Sequence, residues 1–149
     1  MRAVVQRVDA CRVVVDGTTV GKIDRGLLVY LGIAGEDGRK EADYIVRKAS
    51  QLRVFDDADG VMNLSVEDVA GEICVVSQFT LFGDTRKGNR PSYNRAASPD
   101  IAVPLYEYCV ERFRSLGFAV ATGSFGAAMK VSYKNNGPVT ILIDTEKRR

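Results

Sequence analysis

Histidine and tryptophan are absent from the 149 residues, cysteine occurs three times and proline four times. The missing histidine excludes the most chemistry. Without an imidazole there is no Ser-His-Asp or Cys-His machinery, no HExxH zinc site and no histidine general base. Cys11, Cys74 and Cys109 show no CxxC spacing, so neither a zinc site nor a disulfide framework is expected. Each stands among apolar neighbours (DACRVVV, EICVVS, EYCVERF), where a cysteine acts as a small buried hydrophobe rather than a nucleophile. No metal and no cofactor are therefore expected, and chelators are expected to leave any activity unchanged. No apolar run approaches the ~20 residues of a membrane span. The opening MRAVVQRVDA interleaves charges and has no signal-peptide h-region, which points to a cytoplasmic protein with no membrane association. Net charge is also small, 21 Lys and Arg against 19 Asp and Glu, so general polyanion binding does not follow. Basic residues do gather in TRKGNR (85–90) and EKRR (146–149). Each cluster reads either as solvated surface or as a place to meet phosphates.

What is present describes one α/β domain over residues 1–149, whose 46% apolar and 27% charged content is ordinary for a globular fold. RAVVQRV, CRVVVDG and GLLVYLGIA are β-branched and read as strands, with DGTTVGKI a hairpin turning on Asp16-Gly17. Ile45, Ala49 and Leu52 then fall on one face of a helix over 39–52. FDDADGVMNLS reads as loop, GEICVVSQFTLFG (71–83) as a long apolar strand, and 84–100 as a charged loop. A second helix opens with Ser98 as N-cap, Pro99 in the first turn and Asp100 facing the dipole. It buries Ala102, Leu105, Cys109 and Phe113, and Gly117 ends it. Strand-like segments close the chain near 118–123, 128–134 and 138–144. The fold expected is a largely antiparallel, barrel-like sheet with two helices packed on it in three layers. About seven or eight strands exceed what two helices cover, so some sheet surface must pack on sheet or on another subunit.

Two stretches invite a functional reading. SQFTLFGDTRKGNRP starts at the end of the long strand, and Ser77, Gln78, Phe79 and Thr80 place two hydroxyls, an amide and an aromatic at a strand terminus. Strand alternation would put Ser77 and Phe79 on one face and Gln78 and Thr80 on the other. A strand with hydroxyls at an exposed edge is the structural alternative. Nothing in the sequence near Thr80 would deprotonate it, whereas backbone N–H groups serve as oxyanion donors. The second stretch is YKNNGPVTILID (133–144), where two asparagines lead into Gly137-Pro138 at the mouth of a β-branched run. These are turn residues; a functional role would require the backbone itself to be presented.

MRAVVQRV, FDDADGVMNLS, SQFTLFGDTRKGNRPSY, SFGAAMKVS and NNGPVTILID, in that order, span the chain. On these motifs the sequence resembles the D-aminoacyl-tRNA deacylase family from end to end. Asn136 stands where that family commonly has aspartate, and Tyr93 where phenylalanine is usual. The resemblance implies a homodimeric hydrolase that cleaves the ester between a D-amino acid and the 3′-terminal adenosine of tRNA, so the partner is the acceptor end of aminoacyl-tRNA. It implies that Ser77, Gln78, Phe79 and Thr80 form the catalytic segment. Gly137 and Pro138, joined by a cis bond, would reach into the partner subunit's site, where their carbonyls exclude an L side chain. Asn135, Asn136, Val139, Thr140 and Leu81 would complete the substrate site, with Arg7 anchoring the motif through backbone oxygen and Met129 lining the floor. Mischarged glycine would be accepted, since a site that excludes only L side chains cannot exclude it. Arg86, Lys87 and Arg90 would meet tRNA phosphates. The ester, assisted by the ribose 2′-OH, needs positioning more than a nucleophile, which fits the missing histidine. The alternative is a non-catalytic dimeric binder of RNA ends or of a small metabolite, supported by the lack of side-chain acid–base groups.

Overall fold

The structure, a computed structural model, describes residues 1–147; Arg148 and Arg149 of the EKRR run lie outside the described residues. Strand β1 (Arg2–Val15) turns at Asp16-Gly17 into β2 (Thr18–Ile23) and β3 (Gly26–Gly32). Both turn residues are left-handed, with φ of 49° and 76°, as the Asp-Gly pair requires. The antiparallel pairing holds one register from Val13↔Gly21 through Cys11↔Ile23 to Arg2↔Gly32, so β2 and β3 are two halves of one returning strand. Helix α1 (Arg39–Gln51) follows, then a small hairpin of β4 (Phe55–Asp56) and β5 (Met62–Leu64). β6 (Glu72–Ser77) pairs with β3 in parallel. After α2 (Pro99–Ser115), β7 (Val120–Thr122) pairs with β6, also in parallel. β8 (Lys130–Asp144) runs antiparallel along the opposite edge of β1.

The sheet order β2-β1-β3-β6-β7 curls until its ends meet: a Cβ added at Gly21 in β2 would collide with the Thr122 carbonyl in β7. The result is a nearly closed, barrel-like sheet with two helices. The barrel interior is filled by Val8, Cys11, Val13, Ile23, Leu28, Cys74 and Val76, which is how the sheet surface beyond the helices is covered. On the outer face, Ala3, Val5, Leu27, Val29, Leu31, Ile73 and Val75 pack against Ile45 and Ala49 of α1 and Cys109 and Phe113 of α2. Leu27 and Leu28 thus face opposite layers, the period-two alternation of a strand buried on both sides. Each such fully buried aliphatic contributes about 1.5–3 kcal/mol relative to exposure.

Several expectations need correction. RAVVQRV and CRVVVDG are one strand, because β8 pairs with both halves and Asp9-Ala10 only shifts the β1–β8 register without ending the strand. FDDADGVMNLS is not all loop but holds the β4–β5 hairpin. The sheet is largely antiparallel as expected, but β6 adds two parallel pairings, to β3 and β7, that were not expected. The strand placed at 71–83 ends at Ser77, and Phe79–Phe82 is a 3-10 turn. The segments at 128–134 and 138–144 are a single strand, β8. In α2, Tyr106 is buried and Leu105 only partly so. Ser98 does cap α2, but through its carbonyl, which accepts from the Ile101 and Ala102 N–H groups.

Candidate active site

The parallel ladder between β3 and β6 runs out at Leu31↔Ser77, and that ending shapes the SQFTL segment. The Gln78 N–H still reaches the Leu31 carbonyl at 2.8 Å; the chain then winds, with Leu81 N–H on the Gln78 carbonyl at 3.3 Å and Gly83 N–H on the Thr80 carbonyl at 2.9 Å. The expected alternation of Ser77 and Phe79 against Gln78 and Thr80 is therefore not realised. Phe79 and Thr80 open a 3-10 turn, and the first N–H groups of such a turn have no partner within it. The Gln78 side-chain amide hydrogen-bonds the Thr80 hydroxyl. A neutral amide in either orientation is no base, so this contact orients Thr80 without activating it. Leu81 is half-buried, with its carbonyl accepting from Arg2 Nη1 at 2.9 Å. Phe79 stays exposed and meets Tyr93 edge-on at 5.1 Å between centroids.

Beside this turn lies a cavity of about 510 Å³ between the end of β6, the first turn of α2 and the 125–131 segment. Ser77, Gln78 and Phe79 line one side, Ala97, Pro99 and Ala102 another, and Phe125, Gly126, Ala127, Met129 and Val131 the floor. Met129 is held in place by the Ser124 N–H, 3.4 Å from its sulfur. Only Met129 of this floor is anticipated from the sequence. SFGAAMKVS, one of the motifs carrying the resemblance, holds Phe125, Gly126 and Ala127 as well and is the signal that identifies them. The cysteines take no part. All three are buried; burial pushes the Cys109 thiol up to about 12, and a hydrogen bond to Cys11 together with burial pushes Cys74 far above the usual thiol range.

The second group of site residues sits elsewhere in the same chain. Between Gln6↔Thr140 and Val8↔Asn135 the β1–β8 register slips, so that residues 136–139 all face Arg7 and bulge out of the ladder. The Gly137–Pro138 bond at the tip is cis, Gly137 has φ 118°, and both residues are exposed. Arg7 is 8% exposed and grips the bulge from beneath. Its Nε donates to the Asn136 carbonyl at 3.1 Å and its Nη2 to Asn136 Oδ1 at 3.2 Å, while Nη1 reaches the Val54 carbonyl at 2.7 Å. Asn135 closes the neck, donating to the carbonyls of Arg7 and Val139 at 3.0 Å each. Val139 packs on the core, and Thr140 Oγ accepts from Gln6 Nε2 at 3.1 Å. None of residues 135–140, nor Arg7, lines the cavity of its own chain. Of the basic loop, Arg86 is engaged by both Asp84 oxygens, and that guanidinium holds the Asp84 carboxyl down at about 2. Lys87 and Arg90 are exposed.

A profile of the D-Tyr-tRNA(Tyr) deacylase family matches residues 4–144. The chain belongs to that family. Curated D-aminoacyl-tRNA deacylases are similar over full length: that of Thermosipho africanus is 53% identical over 147 residues, 99% of each chain, and that of Porphyromonas gingivalis 52% over 149 residues, 99% of each. Among solved structures, one of a c-Myc DNA unwinding element binding protein superposes with a TM-score of 0.91 at 42% identity, covering 97% of this chain and 99% of that one. A probable eukaryotic D-amino acid tRNA deacylase shares the fold, with a TM-score of 0.80 at 18% identity, covering 95% and 97%. The deacylases of this family are hydrolases of aminoacyl-tRNA esters, so the chain is an enzyme of that class. No helix among the described residues is long and apolar enough to cross a membrane.

Proposed function

We propose that the chain is a chiral proofreading hydrolase of the cytoplasm. It cleaves the ester between a D-amino acid, or mischarged glycine, and the 3′-terminal adenosine of tRNA, and it spares L-aminoacyl-tRNA. The observation that carries this reading is the Gly137–Pro138 bulge: an exposed tip, fixed by a buried guanidinium, that offers backbone and a proline ring but no acid–base side chain. Such a feature suits steric rejection of a side chain rather than acid–base work. Since it lies outside its own chain's cavity, the site is completed in a homodimer, each bulge entering the partner's cavity. The outer edge of β8 supports this, with Leu142 60% and Tyr133 38% exposed beside unpaired strand backbone.

In this reading the ester lies across the turn at Phe79 and Thr80, whose N–H groups face the developing oxyanion. One such donor contributes a factor of about 10²–10³ in rate. The ribose 2′-OH assists its own ester, so no protein base is required. Thr80→Ala is accordingly expected to keep deacylation within about tenfold of wild type. A loss beyond about a thousandfold with fold intact, roughly 4 kcal/mol, would make Thr80 the nucleophile instead.

Lys87 and Arg90 receive backbone phosphates of the acceptor end, with Arg86 joining them when phosphate displaces Asp84. Replacing Lys87 and Arg90 by alanine is expected to raise KM and to flatten its salt dependence, with kcat little changed. Unchanged KM at every ionic strength would remove the loop from the interface. The assembly is tested by sedimentation at micromolar concentration alongside turnover: a dimer is expected, and a fully active monomer would refute the shared site.

A further inference from the structure

Asn136 is held from two sides by opposite charges, and that arrangement has a consequence for a residue outside the site. Its side-chain oxygen accepts from Arg7 Nη2 at 3.2 Å, and its side-chain nitrogen donates to Asp9 Oδ1 at 2.6 Å. Arg7 and Asp9 are two residues apart on β1, and both meet the same Asn136 side chain. The amide spans them, acceptor toward the cation and donor toward the anion. With the Arg7 Nε bond to the Asn136 carbonyl, the residue immediately before Gly137 is fixed at three points. Arg7 is buried and further tied to Val54 and Asp56 on the β4 side, whereas Asp9 is exposed. Arg7 satisfies only acceptors; the Asn136 donor depends on Asp9.

We propose that Asp9 is a positioning residue for the Gly137–Pro138 bulge, acting through Asn136, and that this chain needs an amide at 136 because a carboxylate stands at 9. This rests on the reading in which the bulge rejects L-aminoacyl esters. A carboxylate at 136 would still accept from Arg7, but its second oxygen would face Asp9 Oδ1, now 2.6 Å from the amide nitrogen. Two carboxylates at that separation cannot both stay ionised in place: one takes up a proton or swings into water. Where it swings into water the outer tether is lost; where it takes up a proton, the new O–H donates to the facing carboxylate and part of the tether returns. Placing the amide at 9 and the carboxylate at 136 restores one donor facing one acceptor and keeps the Arg7 contact.

The test compares the ratio of D- to L-aminoacyl-tRNA hydrolysis in wild type, Asp9→Ala, Asn136→Asp and the exchanged pair Asp9→Asn/Asn136→Asp. Asn136→Asp is expected to lower the ratio about tenfold near pH 8, equivalent to about one pKa unit of carboxylate repulsion. Part of that deficit should recover toward pH 5.5, as Asp9 and the new carboxylate, flanked by Arg7 and Asp56, come to share a proton. Asp9→Ala should lower the ratio about threefold, and the exchanged pair should return within about twofold of wild type. A merely structural defect would be neither rescued by exchange nor relieved by acid. An exchanged pair no better than Asn136→Asp, or an Asn136→Asp variant equal to wild type at pH 8, overturns the proposal. Hydrogen exchange of the Asn136 side-chain amide, followed by NMR, reads the tether without turnover. Faster exchange in Asp9→Ala supports it and an unchanged rate overturns it, even if the wild-type protein shows no preference for D esters and the proposed function itself fails.

Discussion

Gly137→Ala is expected to lower D-aminoacyl-tRNA turnover by about two orders of magnitude while the protein still folds. Gly137 has φ 118°, where an L side chain costs about 1–3 kcal/mol. The added Cβ would also stand 2.7 Å from Arg7 Nη2 and 2.8 Å from Val139 Cγ2. Neither neighbour yields cheaply: Arg7 is fixed by its bond to the Val54 carbonyl, and Val139 packs on the core. The exposed tip therefore moves instead, and about 3 kcal/mol of displacement energy corresponds to roughly two decades in rate. Because the bulge lies outside the barrel core, far-ultraviolet circular dichroism and sedimentation should match wild type. Single-turnover rates on D- and L-aminoacyl-tRNA decide the point. If both rates are unchanged, the Gly-Pro pair is only a turn in β8.

Arg7→Ala is expected to cost both stability and discrimination. The guanidinium is almost fully buried and supplies donors to two main-chain carbonyls, Val54 at 2.7 Å and Asn136 at 3.1 Å. Each carbonyl left without a donor costs about 1–3 kcal/mol, so a loss of roughly 3 kcal/mol in unfolding free energy is expected. Arg7→Lys should recover little of it, since one ammonium cannot reach the Val54 carbonyl, the Asn136 carbonyl and the Asn136 side chain as the forked guanidinium does. Urea unfolding gives the stability change. The D-to-L ratio, measured well below the unfolding midpoint, gives the effect of the freed bulge. A variant equally stable and equally selective would show that Arg7 anchors nothing of consequence.

Much of this fold is legible in the sequence where the signal is local. Asp16-Gly17 specifies a left-handed turn, Ser98-Pro99-Asp100 a helix start, and the spacing of Ile45 and Ala49 a helical face, and all three form as written. The errors share a different cause. Parallel pairing of β3 with β6 depends on a crossover through α1, and residues in either strand look the same whichever way the neighbour runs. GLLVYLG and EICVV are nearly continuous apolar runs, the pattern of strands covered on both faces, and this was the available hint. SQFTLF continues the apolar run of β6, yet it winds into a 3-10 turn where the parallel ladder with β3 runs out at Leu31↔Ser77. Asn135 to Pro138 carry turn chemistry that reads equally well as a boundary between strands or a bulge within one. Only the pairing partner decides, and β1 runs past both halves.

The candidate site was legible as two motifs but not as a place. Nothing local in SQFTL or NNGPVT says that one lines a cavity and the other lies outside it, since that separation is a property of the closed barrel. Arg7 was assigned through resemblance; in the structure its guanidinium donates to the Asn136 carbonyl and to the Asn136 side-chain oxygen. Asp9 carries no local signal. An exposed aspartate on a strand looks like solvated surface until the register places Asn136 against it.

The most direct measurement uses the wild-type protein and three substrates side by side: one tRNA charged with a D-amino acid, one with the matching L-amino acid, and one with glycine. Single-turnover hydrolysis should be fast for the D ester and for glycyl-tRNA and near the spontaneous rate for the L ester. Hydrolysis of the L ester as fast as the D ester, or no acceleration of any of the three, would contradict the account of a backbone gate that recognises only the side chain it must refuse.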